Sequence, residues 1–376
     1  VALTGFSGFE TGDLGEWLTV VGTPTVVEAN GWGAPKTGTY AMRCNTDATT
    51  AYVSKYVALA LSRCSFYLYI VDTPDIETVI LGTDNTTDLN QPSIRLDTDR
   101  HLNLYCGGNN LGDSGTTVLA ENTWYRISYS KISTAARVYI DGVQELSDID
   151  SDYTRMRQII GIVATAATAD LYFDDFVYDD TDSLVDIGDI RVLRASPNAA
   201  GQYAEFDTIS GYTYCDEVPA DGATTIVDDS GVSTLHRECY NLQDSATIGV
   251  SGTINAVNVL VQGYSVNVAQ GIIVRQATTD YTTMVEWGKT YTWKNKLYTA
   301  APSTAAWDTD IFDAFQAGGY SEGSKDVYMS CVMVMVAFTP AAVGGWSHKY
   351  LGVANASIGK INGVAIASIL KVNGIA

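Results

Sequence analysis

The sequence predicts an all-β fold: two β-sandwich (jelly-roll-like) domains followed by a short C-terminal β-hairpin repeat tail. Three observations predict it. Period-two segments recur along the chain, each bounded by Gly, Asp, Asn or Pro. Charged residues make up only 17% of a chain that holds 34 Gly and 23 Tyr, the palette of short strands joined by tight turns. Residues 356–376 read ASIGKINGVAIASILKVNGIA, a repeat with two Asn-Gly hairpin signals.

Residues 1–182 are predicted as the first sandwich. Its strands are YAMRCNT near 40, SRCSFYLYIV at 62–71, SIRLDT at 93–98, HLNLYCG at 101–107, TWYRISYSK at 123–131, ARVYIDG at 136–142 and DLYFDDFVYD at 170–179. The acidic stretch YDDTDSLVDIGD at 178–189 marks a linker or boundary. A second sandwich is predicted over 187–345, with strands near 189–195, 203–208, 232–240, 253–261, 267–276, 281–287, 291–299 and 326–338. One helix is predicted within AAWDTDIFDAFQAGG, where Ile311, Phe312 and Phe315 share an apolar face and Gly318-Gly319 ends it.

Residues 346–376 form the tail. Asn362-Gly363 and Asn373-Gly374 suit two-residue type I′ turns, because both positions tolerate φ > 0. Their flanks Ile361/Val364 and Val372/Ile375 are β-branched, so strands are predicted at 356–361, 364–372 and 375–376. Strands this short are marginal alone and need a surface to pack on. From Trp346 onward Lys349, Lys360 and Lys371 face no acid, a formal +3 against −24 for the rest of a chain of net charge −21. A basic, apolar meander of this kind suits pairing with a neighbour's strand edge.

Net charge −21 argues against nucleic acid bound through a basic surface. No run reaches the roughly 20 apolar residues of a membrane span, and no basic-then-apolar signal peptide is expected at VALTGFSGFE. Cys44, Cys64, Cys106, Cys215, Cys239 and Cys331 show no zinc-type spacing and are expected to be buried thiols, with disulfides an open alternative.

Catalytic patterns are weak. A glycosidase needs two carboxylates facing one side; ETV at 77–79 lacks the second, and Glu205 and Asp207 stand near a strand end. His101, His236 and His348 accompany no G-x-S-x-G elbow. His236 and Cys239, three apart, face opposite sides of a strand. GGNNLGDSG at 107–115 precedes no helix, so it is read as a loop and not a phosphate cradle. Trp17, Trp32, Trp287, Trp293 and Trp307 are the aromatic candidates for sugar stacking.

Three pieces of the first unit, GFETGDLGEW…KTGTYAMRC, NTWYRISYSKISTAARVYIDG and DLYFDDFVYDD, resemble the concanavalin A-like (laminin-G-like) lectin/glucanase jelly rolls. Trp124, Tyr139 and Asp141-Gly142 take the places of that superfamily's buried Trp and hairpin turn. The resemblance, extended to related carbohydrate-binding modules, implies a structural Ca²⁺ held by Glu10 and by Asp174 or Asp175, with carbonyls around Gly12, Thr37 and Gly38. Strand alternation lets only one of the two aspartates point there. The second unit and tail resemble modules of bacteriophage and other viral structural proteins, on IGDIRVLRASPNAAGQYAEFD, YTYCDEVPADGATTIVDDS and KINGVAIASILKVNGIA. The resemblance implies a non-enzymatic virion protein: a capsid-surface decoration, fibre or tail component on an extracellular particle. It would assemble with itself, for instance as a trimer, or with other virion proteins, and adhere to a host glycan through the jelly roll. The alternative is a secreted carbohydrate-binding module or a glycoside-active lectin-like protein.

Overall fold

The computed structural model describes residues 3–29, 33–55, 62–82, 92–106, 109–149, 158–163, 167–206, 211–222, 224, 226–229, 235–265, 269–322, 326–341, 360–361 and 364–365. Strands carry the fold. The first set runs β1 (Gly5–Ser7), β2 (Thr19–Val21), β3 (Thr25–Val27), β4 (Ala41–Thr46), β5 (Ala51–Lys55), β6 (Arg63–Asp72), β7 (Thr78–Gly82) and β8 (Pro92–Leu96). It continues with β9 (Leu102–Cys106), β10 (Asn109–Ser114), β11 (Trp124–Ile132), β12 (Ala135–Ile140), β13 (Val143–Ile149), β14 (Gln158–Ile162) and β15 (Ala169–Asp179).

These strands build two facing antiparallel sheets. One has the order β13-β12-β11-β6-β15-β4-β3, with β1 added against β15; the other runs β10-β9-β8-β7-β14-β5-β2. Between them lies one core containing Phe66, Leu68, Ile80, Leu104, Ile127, Leu171 and Phe173. β15 is buried along its whole length because both of its faces are covered. Leu171 and Phe173 point into that core, while Val177 enters a different one described below. The acidic stretch after β15 does not hang free. Ser183 bridges to Lys131, Asp186 takes both Arg126 terminal nitrogens at 2.8 and 2.6 Å, and Asp189 accepts from the Tyr67 hydroxyl at 2.7 Å.

The second set runs β16 (Arg191–Ala195), β17 (Pro197–Ala204), β18 (Val227–Asp229), β19 (Leu235–Leu242), β20 (Gly252–Ser265) and β21 (Ala269–Gln276). β22 (Thr279–Met284), β23 (Thr292–Tyr298), β24 (Phe315–Glu322) and β25 (Val327–Pro340) complete it. One sheet has the order β16-β25-β20-β23, with β18 on β25, and the other β17-β19-β24-β21-β22. Val259, Val261, Ile272, Val274, Val334 and Val336 alternate inward to form the core between them.

The one short helix expected within AAWDTDIFDAFQAGG is present, but it stops at Asp313 and does not reach Gly318-Gly319. Two short helices occur here, α1 (Ser245–Ile248) and α2 (Thr309–Asp313), and α2 is capped by the Asp308 carboxylate accepting from Ile311 N–H at 2.7 Å. Phe315, Gly318 and Gly319 belong to strand β24 instead. Pairing explains this: a Cβ on Gly318 would lie 1.9 Å from the Glu238 carbonyl of β19, so the glycine permits close strand approach. Phe312 and Phe315 are buried as the helical reading required, but from two different elements.

A third core fuses the sandwiches. Leu3, Phe6 and Val177 meet Ile190 and Val192, and these pack on Leu260, Cys331, Met333 and Met335 of the β20–β25 face. The tail contributes β26 (Lys360–Ile361) and β27 (Val364–Ala365), paired antiparallel with Ile361 opposite Val364. Asn362, Gly363, Lys371, Val372, Asn373, Gly374 and Ile375, expected to form the two turns and their flanks, lie outside the described residues. Among the described residues no helix is long and apolar enough to cross a membrane.

Candidate functional site

Glu10, Thr37, Gly38, Asp174 and Asp175 come together around the turn 37–40. Glu10 Oε1 accepts from the Thr39 and Tyr40 N–H groups at 2.9 and 3.1 Å. Gly38, at φ +69, presses its Cα on that carboxylate, where a Cβ would stand 2.2 Å from Oε1. Asp174 Oδ2 accepts from Thr37 N–H at 3.1 Å, and Asp175 Oδ2 from the Thr37 hydroxyl at 2.7 Å. Gly12 lies beside this group, against Val218 and Pro219 of the second sandwich.

Both aspartates therefore meet the turn, which corrects the expectation that alternation admits only one. The register against β6 shifts between Asp174 and Val177, and Asp175 adopts φ 49. A bulge of this kind re-aims a side chain that a regular pleat would send to the other face. Asp175 Oδ1 also accepts from Val192 N–H at 2.8 Å, which carries the cluster into the junction with the second sandwich.

The electrostatics are unfavourable as they stand. Burial pushes the carboxyls of Glu10 and Asp175 up to about 7. Asp174 is also raised well above its ordinary value, by burial first and then by the charges of Asp175 and Glu10. Arg191 reaches Thr37 Oγ1 at 3.3 Å and Arg194 reaches the Glu10 carbonyl at 3.0 Å, so neither bonds a carboxylate of the cluster. Oxygen-rich, buried and under-compensated groups suit a hard cation, and each carboxylate keeps lone pairs beyond those used. Among the described residues no three His, Cys, Asp or Glu side chains form a ready metal cage. Ligation at this turn therefore needs backbone carbonyls as well as acids.

The other chemical candidates resolve into structural roles. Glu205 is clamped by Arg237 through bonds of 3.0 and 2.9 Å, and Asp207 lies outside the described residues. His236 Nδ1 meets the Asp229 carboxylate at 2.9 Å, whereas Cys239 packs with Ile273 and Tyr320 on the opposite face. Ser321 stands directly across from His236 in register, yet it is wholly enclosed at 0% exposure. The row Asp229–His236–Ser321 therefore presents no accessible nucleophile. Cys44, Cys64, Cys215, Cys239 and Cys331 are free and buried, and the side chain of Cys106 lies outside the described residues.

Burial sorts the tryptophans. Trp17, Trp287 and Trp307 are core residues, and Trp32 lies outside the described residues. Trp293 remains half-exposed on β23, the edge strand beside the first sandwich. There the sandwiches leave a cleft of about 660 Å³, lined by Asp13, Glu16, Tyr178, Gln262, Tyr291 and Trp293 among others. A recess of about 180 Å³ lies beside it and shares Glu16, Tyr178 and Trp293, adding Asn258 and Asn295. Aromatic rings with a few convergent amides and carboxylates, in a volume of this order, are the usual makeup of a ligand site. Sequence reasoning named Trp293 but missed its partners, because they come from both ends of the chain.

No protein-family model matches the chain, and no curated protein matches it. Solved structures share parts of its sandwich architecture. The Crh5 transglycosylase in complex with NAG is 12% identical, with 49% of this chain and 88% of that one covered at a TM-score of 0.36. Domain 4 of AbnA, a GH43 extracellular arabinanase from Geobacillus stearothermophilus in complex with arabinotriose, is 13% identical, with 47% and 92% covered at 0.32. The carbohydrate-binding module CBM66 from Bacillus subtilis is 12% identical, with 43% and 91% covered at 0.26. These neighbours are glycan-active or carbohydrate-binding β-sandwich proteins. At such identities and scores they carry no argument about this chain's chemistry.

Proposed function

We propose that this chain is a non-enzymatic glycan-binding protein whose ligand enters the cleft between the sandwiches and stacks on Trp293. The half-exposed indole carries the reading: it stands at a cleft lined by Gln262, Asp13 and Glu16, with Asn258 and Asn295 in the adjoining recess. Sugar recognition needs an aromatic face for the ring's C–H surface and planar polar groups for its hydroxyls. A glycan array followed by calorimetry on Trp293→Ala tests it. Saturable binding lost in the variant is expected. Silence across the array, or a glycan that binds the variant equally, overturns the reading.

In the same reading Ca²⁺ is a structural ion at the 37–40 turn, held by Glu10 and by Asp174 or Asp175 with carbonyls around Gly12, Thr37 and Gly38. It would offset the buried negative charge and fasten the start of the first sandwich to its last strand. A second role we propose is assembly, through the tail that carries β26 and β27. The tail would then dock on a neighbouring copy or another subunit, and a virion surface is the setting we propose for a glycan adhesin of this build.

A further inference from the structure

The β20–β25 face does not end at the cleft. Antiparallel register places Tyr264 beside Tyr328, and Gln262 beside both Cys331 and Trp293. Tyr291, one residue before β23, packs on Tyr264 with ring centroids 5.8 Å apart, and Tyr264 lies 5.4 Å from Tyr328. The first sandwich covers Cys331, Leu260 and Met333 in the third core. It leaves the tyrosine row half-exposed, so an aromatic surface leads from Trp293 and Tyr291 in the cleft to Tyr264 and Tyr328 outside it. The row crosses two strand spacings, about 10 Å, which is further than one sugar unit reaches.

The charges along this path are mostly acidic. Asp13 and Glu16 line the cleft, and the fields of Asp228, Asp221 and Asp326 act on the phenols of Tyr291 and Tyr328. Lys294 lines both the cleft and the recess, so the cleft itself carries one lysine against Asp13 and Glu16, while the acids near Tyr291 and Tyr328 are uniformly negative. A polyanion laid along the row meets like charge, whereas neutral or amine-bearing units do not.

Resting on the cleft as a glycan site, we propose that its ligand is an extended polysaccharide chain, uncharged or amine-bearing, running from Trp293 over Tyr291 and Tyr264 to Tyr328. Each ring offers one stacking platform to successive units. Neighbouring rings are tilted by 33° and 45° to one another, so successive units would meet differently inclined faces.

Calorimetry on the full chain with oligosaccharides from disaccharide to octasaccharide tests this. The probes are β-1,4-glucan, chitin-derived and chitosan-derived series, with oligogalacturonate as the polyanionic control. Affinity in at least one series is expected to rise about tenfold with length, equivalent to about 1.4 kcal/mol, and then level off. Tyr264→Ala and Tyr328→Ala should each remove that gain with length, while Trp293→Ala weakens every length, the disaccharide included. Melting curves matched to the parent chain confirm that the variants fold. Length-independent affinity, or tyrosine variants that bind long chains normally, overturns the extended site and leaves the cleft reading standing. Oligogalacturonate binding as tightly as the neutral series overturns the charge selectivity. Absence of binding in every series overturns both readings.

Discussion

Trp293 Nε1–H donates to Asp13 Oδ2 at 3.2 Å, a hydrogen bond between residues 280 positions apart. The same carboxylate accepts from Gly15 N–H through Oδ1 at 2.9 Å. One aspartate thus shapes the loop of the first sandwich and fixes the indole of the second at the mouth of the cleft.

Replacing Asp13 with alanine should remove both bonds and lower stability by about 1.5–3 kcal/mol, the range for hydrogen bonds to a charged group. The urea midpoint is the readout. A lower midpoint with an unchanged slope means lost native contacts; an unmoved midpoint rejects a stabilising role for the pair.

Calcium addition should raise the melting temperature relative to a chelator. At about a hundredfold excess over the dissociation constant, the gain is about 2.7 kcal/mol. Glu10→Gln should remove most of the response while retaining hydrogen bonds from Thr39 and Tyr40. Identical melting curves in calcium and chelator would sink the ion.

Glu238 makes stability depend on pH. It is 1% exposed, and burial raises its carboxyl from 4.5 to about 7 although Gly211 N–H donates to Oε1 at 3.2 Å. The folded chain therefore holds a proton that the unfolded chain has released between these two values. Stability from this group is present below pH 4.5 and falls as pH rises toward 7, by up to about 3 kcal/mol at 1.36 kcal/mol per unit. Glu238→Gln should flatten that part of the stability–pH curve; an unaltered slope assigns it elsewhere.

Deleting residues 356–376 should reduce the oligomeric state measured by light scattering if the tail joins subunits. An assembly of unchanged mass removes that role from it.

What was legible in the sequence was what local chemistry controls. The alternation of DLYFDDFVYD and of VYMSCVMVMVAF announces strands, and both became central ones. AAWDTDIFDAFQAGG gave the short helix α2 but not its end, because Phe315 sits three residues from Phe312, a helical spacing that the pairing of β24 with β21 and β19 overrides. The acid cluster was partly legible: Glu10 and the alternatives Asp174 and Asp175 were readable through a resemblance, but the bulge that lets both aspartates meet the turn leaves no mark in composition. The cleft was not legible at all. Asp13 and Trp293 meet only because the two sandwiches pack against each other, and no local pattern records that contact.

That docking constrains what the chain can be cut into. Leu3, Phe6 and Val177 are buried in the core they share with Leu260, Met333 and Met335, and would lose that cover if the halves parted. Severing the chain between 180 and 190 would leave each piece with a sticky, water-facing wall. The two sandwiches should accordingly melt in a single calorimetric transition and travel through evolution as one indivisible cassette.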